Sequence, residues 1–342
     1  MDLLPDNEQQ QVIDAIAAYL AGEHGIAAVQ AVNARQPLTD PAQWRRLGEL
    51  GWLGIGMEEK FGGAGFTLAE EMLLSVEAGR YLLSPALLGS LVGARLAAAR
   101  GCDELARSII AGHSIVAPAL AALPAQKLGP SIDGEFLLLE SRDADFALLV
   151  DRDNAALVPL AEFRERRDQR CIDEKVRLAT ATLSGARAIA SLGGEALPAR
   201  TLVLCAAYLT GIAQALQEQA VTYARERRQF GQPIGAFQAI KHRCADMALR
   251  GEAALAMTLQ AGLGLLEDNG EGFFDAHCAK ILAQDAALQN GADCVHIHGG
   301  MGFTAELPVH LFYKRAQVMS QFFCDKHELQ WSLCQHPGGS HS

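Results

Sequence analysis

The chain has no C-x-x-C pair, no H-x-x-x-H pair and no G-x-S-x-G elbow. Those absences remove the spacings expected of a thiolate zinc site, a helical metal pair and a serine-hydrolase nucleophile. Aromatic residues are scarce, at 6% of 342 residues. Positive charge is short as well: 29 lysines and arginines face 40 acidic residues, for a formal charge of −11. Nucleic acid needs a cationic footprint, so it is excluded as a partner. The opening MDLLPDNEQQ lacks the apolar segment of a secretory signal. No apolar run is read as long enough to span a bilayer, so no membrane is expected.

What is present points inward. Half of the residues are hydrophobic, enough for a large core and two or three domains. The eight cysteines, at 102, 171, 205, 244, 278, 294, 324 and 334, fall mostly in apolar or helical stretches. That usage predicts buried reduced thiols and a cytoplasmic protein.

The periodicity divides the chain. Residues 1–112 read as helices, with Leu50, Trp52, Leu53 and Ile55 as an apolar patch ending in the turn Phe61-Gly62-Gly63-Ala64-Gly65. Leu68, Met72, Leu73, Val76 and Gly79 then recur at helical spacing. Between 113 and 190 the apolar runs shorten, as in GEFLLLES, ADFALLVD and AALVPL, and predict β-strands. From 191 to 336 the 3.6-residue period returns, with many Ala and Gly residues that let helices approach closely. Residues 337–342 read as a disordered tail.

Two motifs are decoys. GIGMEEKFGGAG is not G-x-G-x-x-G, because Glu59 occupies the third glycine position and no βαβ unit surrounds it. His296 and His298 have no third ligand marked nearby, so hydrogen bonding or ligand contact is expected rather than a metal.

The densest cationic stretch is RERRQFGQPIGAFQAIKH, residues 225–242. Arginines at a helix C-terminus complement its dipole, which is a sufficient structural reason for them. The turn that follows adds Gln229, an aromatic face at Phe230 and a bare backbone at Gly231. A guanidinium can grip a pyrophosphate bidentately while a ring packs nearby, so the set suits a dinucleotide. A second stretch, ADCVHIHGGMGFTAELPVHLFYKRAQ, offers Gly299, Gly300 and Gly302, where a ligand can reach the main chain.

Together these stretches resemble the two C-terminal signatures of the acyl-CoA dehydrogenase family. WRRLGELGWLGIGMEEKFGGAGFTLAEEMLLSVEAGR is similar to that family's N-terminal signature. The resemblance implies an α+β, mostly α fold: a helical N-terminal domain, a small central β domain and a C-terminal four-helix bundle. It implies FAD as cofactor, an acyl-CoA substrate, tetramers built from dimers and electron-transfer flavoprotein as acceptor. Position by position, it implies that Arg227, Gln229 and Phe230 contact the FAD diphosphate and adenylate, and that Gln238 approaches the same cofactor. His296, standing for the family's glutamine, would with Gly299 and Gly300 receive the FAD of a neighbouring subunit.

The same resemblance exposes gaps. The family's catalytic base is a glutamate in an apolar pocket, where desolvation raises its pKa. Its usual loop position corresponds to Phe323, followed by Cys324 in place of a glycine. The alternative position at the start of the first bundle helix corresponds to Thr201, followed by Leu202. The central loops that hold the flavin ring, one like TEPGAGSD and one like WITNG, are missing between 113 and 190. Asp325 is the substitute base kept in view. The pattern is similar to the short subunit of α2β2 bacterial steroid and bile-acid side-chain acyl-CoA dehydrogenases. The alternatives are a self-sufficient homo-oligomer using Asp325 and a non-catalytic scaffold of the same fold.

Overall fold

The computed structural model describes residues 5–23, 25–32, 39–122, 128–267 and 272–335. The expected disordered tail lies outside them. Six helices come first: α1 (Asn7–Glu23), α2 (Ile26–Ala31), α3 (Pro41–Glu49), α4 (Leu68–Arg80), α5 (Ala86–Ala99) and α6 (Asp103–Ile110). Asp40 caps α3 by accepting from the Ala42 amide at 2.8 Å, with Pro41 at the first helical position. Thr67 and Glu70 form a reciprocal capping box at α4, and the Thr67 amide donates to Glu70 Oε2 at 2.8 Å.

A seven-stranded sheet follows, in the order β5-β6-β2-β1-β3-β4-β7. Its strands are β1 (Val116–Ala121), β2 (Ile132–Leu139), β3 (Phe146–Val150), β4 (Asn154–Pro159), β5 (Arg164–Gln169), β6 (Leu178–Ala186) and β7 (Ala190–Gly193), so β7 crosses residue 190. Only β1 and β3 pair in parallel, with Ala117 opposite Ala147. Both faces of the central strands are apolar. Phe136, Leu138, Leu149 and Val158 enclose a small separate core, while Leu139, Leu148 and Leu157 join the main core. This two-sided burial is why the sequence there shows continuous apolar runs rather than alternation.

The C-terminal part holds α7 (Ala196–Glu226), α8 (Gln238–Glu267), α9 (Gly272–His298), α10 (Val309–Gln321) and α11 (Lys326–Gln335). Helix α7 corrects one expectation. It is long and apolar enough to cross a bilayer, yet 89% of its apolar window is buried inside the protein, where it forms the axis of the core. Gly79 of α4 and Gly211 of α7 meet backbone to backbone. A Cβ at either would lie 1.9 Å from a carbonyl oxygen of the other helix. Asn290 ties the bundle together, donating to the Ala213 and Met247 carbonyls at 3.0 Å each and accepting from Arg250 at 2.9 Å.

The thiols also depart from expectation. Only Cys205 and Cys294 are buried, five others are partly exposed and Cys334 is fully exposed. Several sit on amphipathic helices whose outward rows a periodicity count does not separate from inward ones.

Arg315 of α10 joins the three regions. Its guanidinium is wholly buried and donates to Asp173 Oδ2 at 2.5 Å, to Tyr208 Oη at 2.7 Å and to the Leu82 and Leu83 carbonyls. Burial alone would pull its pKa down, but Asp173 and Tyr208 outweigh that and leave it raised. Burial pushes the Tyr208 phenol up to about 12.

Candidate cofactor and base sites

At the C-terminal end of α7 the helix stops at Glu226, and the Arg227 amide closes its last turn on Tyr223 O at 2.8 Å. The chain then forms a minimal hairpin, Arg228–Gln229 against Gln232–Pro233. Phe230 and Gly231, at φ +51° and +80°, make its two-residue turn. Both central residues have positive φ, as a type I′ turn requires. The motif is therefore helix, hairpin, helix, with a 3-10 turn at 234–236 leading into α8 at Gln238.

The turn holds Phe230 out in solvent, 92% exposed, with its ring edge-on to Phe237 at 6.1 Å. Arg225, Arg227, Arg228, Gln229 and Gln238 are exposed as well. Among the described residues the three arginines form no ion pair.

The second stretch ends beside the first. Tyr223 stacks on His298 with ring centroids 4.2 Å apart. His298 bonds the Cys294 carbonyl through Nδ1 at 2.8 Å, and burial lowers its pKa, favouring the neutral ring. His296 faces solvent. Gly299 adopts φ +59°, which explains its glycine. Gly300 has no such reason, because its φ is not positive and a Cβ there would meet nothing within 4 Å. The chain's own packing does not require Gly300, so its bare backbone suits a partner from outside.

Within one chain the two stretches meet at the same end of the bundle, through the Tyr223–His298 stack. Three unpaired guanidiniums, an exposed ring and open glycines fit the diphosphate and adenylate of FAD. Beside them is a cavity of about 410 Å³ lined by Tyr223, Glu226, His298, Pro308 and Phe312.

The base positions occupy the other end. Thr201 is fully buried in the first turns of α7 and donates its hydroxyl to the Leu197 carbonyl at 2.8 Å. Its neighbour Arg200 bonds buried Glu71 at 2.6 Å, joined by Arg95 at 3.3 Å. Phe323 is 5% exposed and holds φ +66°, a costly conformation for a bulky residue. The Cys324 thiol donates to Glu328 at 3.5 Å, and burial pushes its pKa up. Asp325 caps α11, accepting from the Glu328 amide at 2.9 Å. Sequence reading missed Lys280 beneath this loop and the Arg200–Glu71–Arg95 cluster. Nothing in a helical pattern marks one lysine or glutamate as buried.

Comparison with known proteins identifies the family. Residues 6–122 match the description "Acyl-CoA dehydrogenase, N-terminal domain", and residues 199–323 match "Acyl-CoA dehydrogenase, C-terminal domain". The acyl-CoA dehydrogenase IpdE2 of Mycobacterium tuberculosis is 30% identical over 332 residues, covering 93% of this chain and 94% of that protein. The fold is similar to the ChsE4-ChsE5 complex of the same organism, with a TM-score of 0.84, 21% identity and full coverage of both chains. It also resembles the Tcur3481-Tcur3483 steroid ACAD, with a TM-score of 0.79, 24% identity and 96% of each chain covered. The chain belongs to the acyl-CoA dehydrogenase family, oxidoreductases that carry FAD.

Proposed function

We propose that this chain is the base-lacking subunit of an α2β2 acyl-CoA dehydrogenase, lending its nucleotide-gripping end to a full-length catalytic partner. The carrying observation is a length. Residues 201 to 227 lie along α7 and its cap, and at about 1.5 Å per residue the two ends are roughly 39 Å apart. That exceeds the reach of one extended FAD. A cofactor whose phosphates rest on Arg227 and Gly300 is therefore out of reach of Thr201 in the same chain, which supports a neighbouring subunit as the seat of its ring.

When bound, FAD accepts the hydride that leaves the acyl β-carbon. The α-proton needs a base, and neither Phe323 nor Thr201 can take it. Asp325 is already engaged as a helix cap, which favours the partner-subunit reading over a displaced base. In this reading Arg227, Gln229, Phe230, Gln238, His296, Gly299 and Gly300 bind and orient the dinucleotide. The partner supplies the base and the substrate pocket.

The complex would oxidise a bulky acyl-CoA to a 2,3-enoyl-CoA. The steroid ACAD likeness supports such a substrate, and electron-transfer flavoprotein is the family's expected acceptor. Eight thiols without a disulfide among them are consistent with the cytoplasmic setting we infer.

Co-expression with a full-length family member tests the proposal. Flavin is expected in the complex, and the wild-type chain is expected to support dye-coupled turnover only there. Turnover by the lone protein would sink it, whereas a flavin-free but intact complex would favour the scaffold reading. Phe323→Glu is expected to give the lone protein measurable turnover where flavin is retained. A flavin-bound but inactive variant would assign the deficit to the missing sheet loops.

A further inference from the structure

Lys280 sits about a third of the way along α9 with its side chain fully buried. Its Nζ donates to Gln284 Oε1 at 3.2 Å and to the carbonyls of Met319 at 3.4 Å and Ser320 at 3.2 Å. Among the described residues it forms no ion pair. An ammonium buried without a bonded counter-ion is among the costliest groups a core can hold. Ala276, Ala279 and Ala283 beside it on α9 are buried as well, and a methionine would occupy much the same volume at no electrostatic cost.

The position of Lys280 explains its presence. Met319 and Ser320 belong to the last turn of α10, whose final carbonyls lack helical partners and carry the negative end of the dipole. The chain leaves that turn directly into residues 322–325, where Phe323 holds its left-handed backbone. Cys205, one helical turn beyond Thr201, donates its thiol to the same Met319 carbonyl at 3.7 Å. Lys280 thus touches the main-chain junction between both family base positions. The groups facing it are Cys205 from α7, Gln284 from its own helix, and Cys324 and Asp325 from the loop. Asp325 attracts it through space but spends its hydrogen bond on α11.

We propose that Lys280 is the positioning residue of the base-position loop, its ammonium clamping the last turn of α10 so that Phe323 keeps its left-handed backbone. The name of the loop rests on the family reading above; the clamp itself does not.

The proposal has an unusual pH signature. Burial lowers the Lys280 pKa in the folded chain. Between that lowered value and the ordinary lysine value the unfolded chain binds more protons at this site, so the contribution of Lys280 to global stability rises as pH climbs. As pH crosses that lowered value the folded chain's ammonium loses its charge and the clamp weakens, because a neutral amine donates less strongly to carbonyls. The stability contribution of Lys280 and local loop order therefore move in opposite directions, which a packing role would not produce.

The test follows amide protection factors at 321–325 by hydrogen exchange, alongside the difference in urea midpoint between wild type and Lys280→Met, from the lowest pH at which the chain stays folded up to the ordinary lysine value. In the wild-type chain, protection of the loop is expected to fall about tenfold while the midpoint rises relative to that of Lys280→Met. Lys280→Met should abolish the protection trend and leave the loop weakly protected at every pH. Wild-type protection in that variant, or protection in the wild-type chain that does not change with pH, overturns the proposal. If Lys280→Met does not fold, the wild-type series and Lys280→Gln decide the matter. Turnover by the lone protein would refute the partner-subunit reading and leave these exchange readouts unchanged.

Discussion

The two ends of α7 are opposites. Its C-terminal end presents arginines that form no ion pair among the described residues, a phenylalanine in solvent and glycines with empty space above them. Its N-terminal end is packed shut: Thr201 bonds its own helix, Phe322 and Phe323 are buried, and the carboxylates of Glu71 and Asp325 are already committed. The exposed end keeps features that cost or gain little within the chain alone. The sealed end has exchanged its chemistry for packing. On the proposed function, this separation lets a subunit do without the proton-accepting half of the reaction and keep its grip on the cofactor, because the two duties sit at separate ends of α7.

The sharpest way to break that contrast is at the junction behind the sealed end. Asp173→Ala strands Arg315 in the core with its charge unpaired. A loss of about 3–5 kcal/mol is expected, read as a fall in the urea midpoint. Arg227→Ala acts at the open end instead. Flavin affinity of the assembled complex should weaken roughly tenfold to a hundredfold while the unfolding midpoint stays put. Unaltered flavin retention would move the diphosphate elsewhere. Gly299→Ala forces a Cβ into φ +59°, so about 1 kcal/mol should be lost in thermal unfolding. Smallest is Phe230→Ala: with 92% of the side chain in solvent, the lone chain should keep its stability within about 0.5 kcal/mol. Weaker association with the partner would show what the ring is for, and a large loss of lone-chain stability would contradict its exposure.

Much of this architecture was legible in the residues, and the exceptions have physical causes. The strands β2, β3 and β4 announce themselves as apolar runs because both of their faces are buried. Edge strand β5, RERRDQ, is exposed at every residue and resembles a loop until β6 is seen beside it. Arg227, Phe230 and Gly299 were legible as turn and charge-run residues, because both leave local marks. The hairpin was not, since it depends on Phe230 entering a left-handed conformation that its side chain disfavours. Lys280 and Asp173 were missed for a different reason. Each is an ordinary polar letter in its own segment and becomes special only through neighbours more than 30 residues away.

The contact between Gly79 and Gly211 has a mechanical consequence. Two helices whose main chains touch cannot slide past each other, and no side chain is available there to act as a bearing. The N-terminal helices and the long rod of the bundle are thus geared into a single block. A methyl group added at that tooth would act as a wedge, tilting the rod and disturbing both of its distant tips at once.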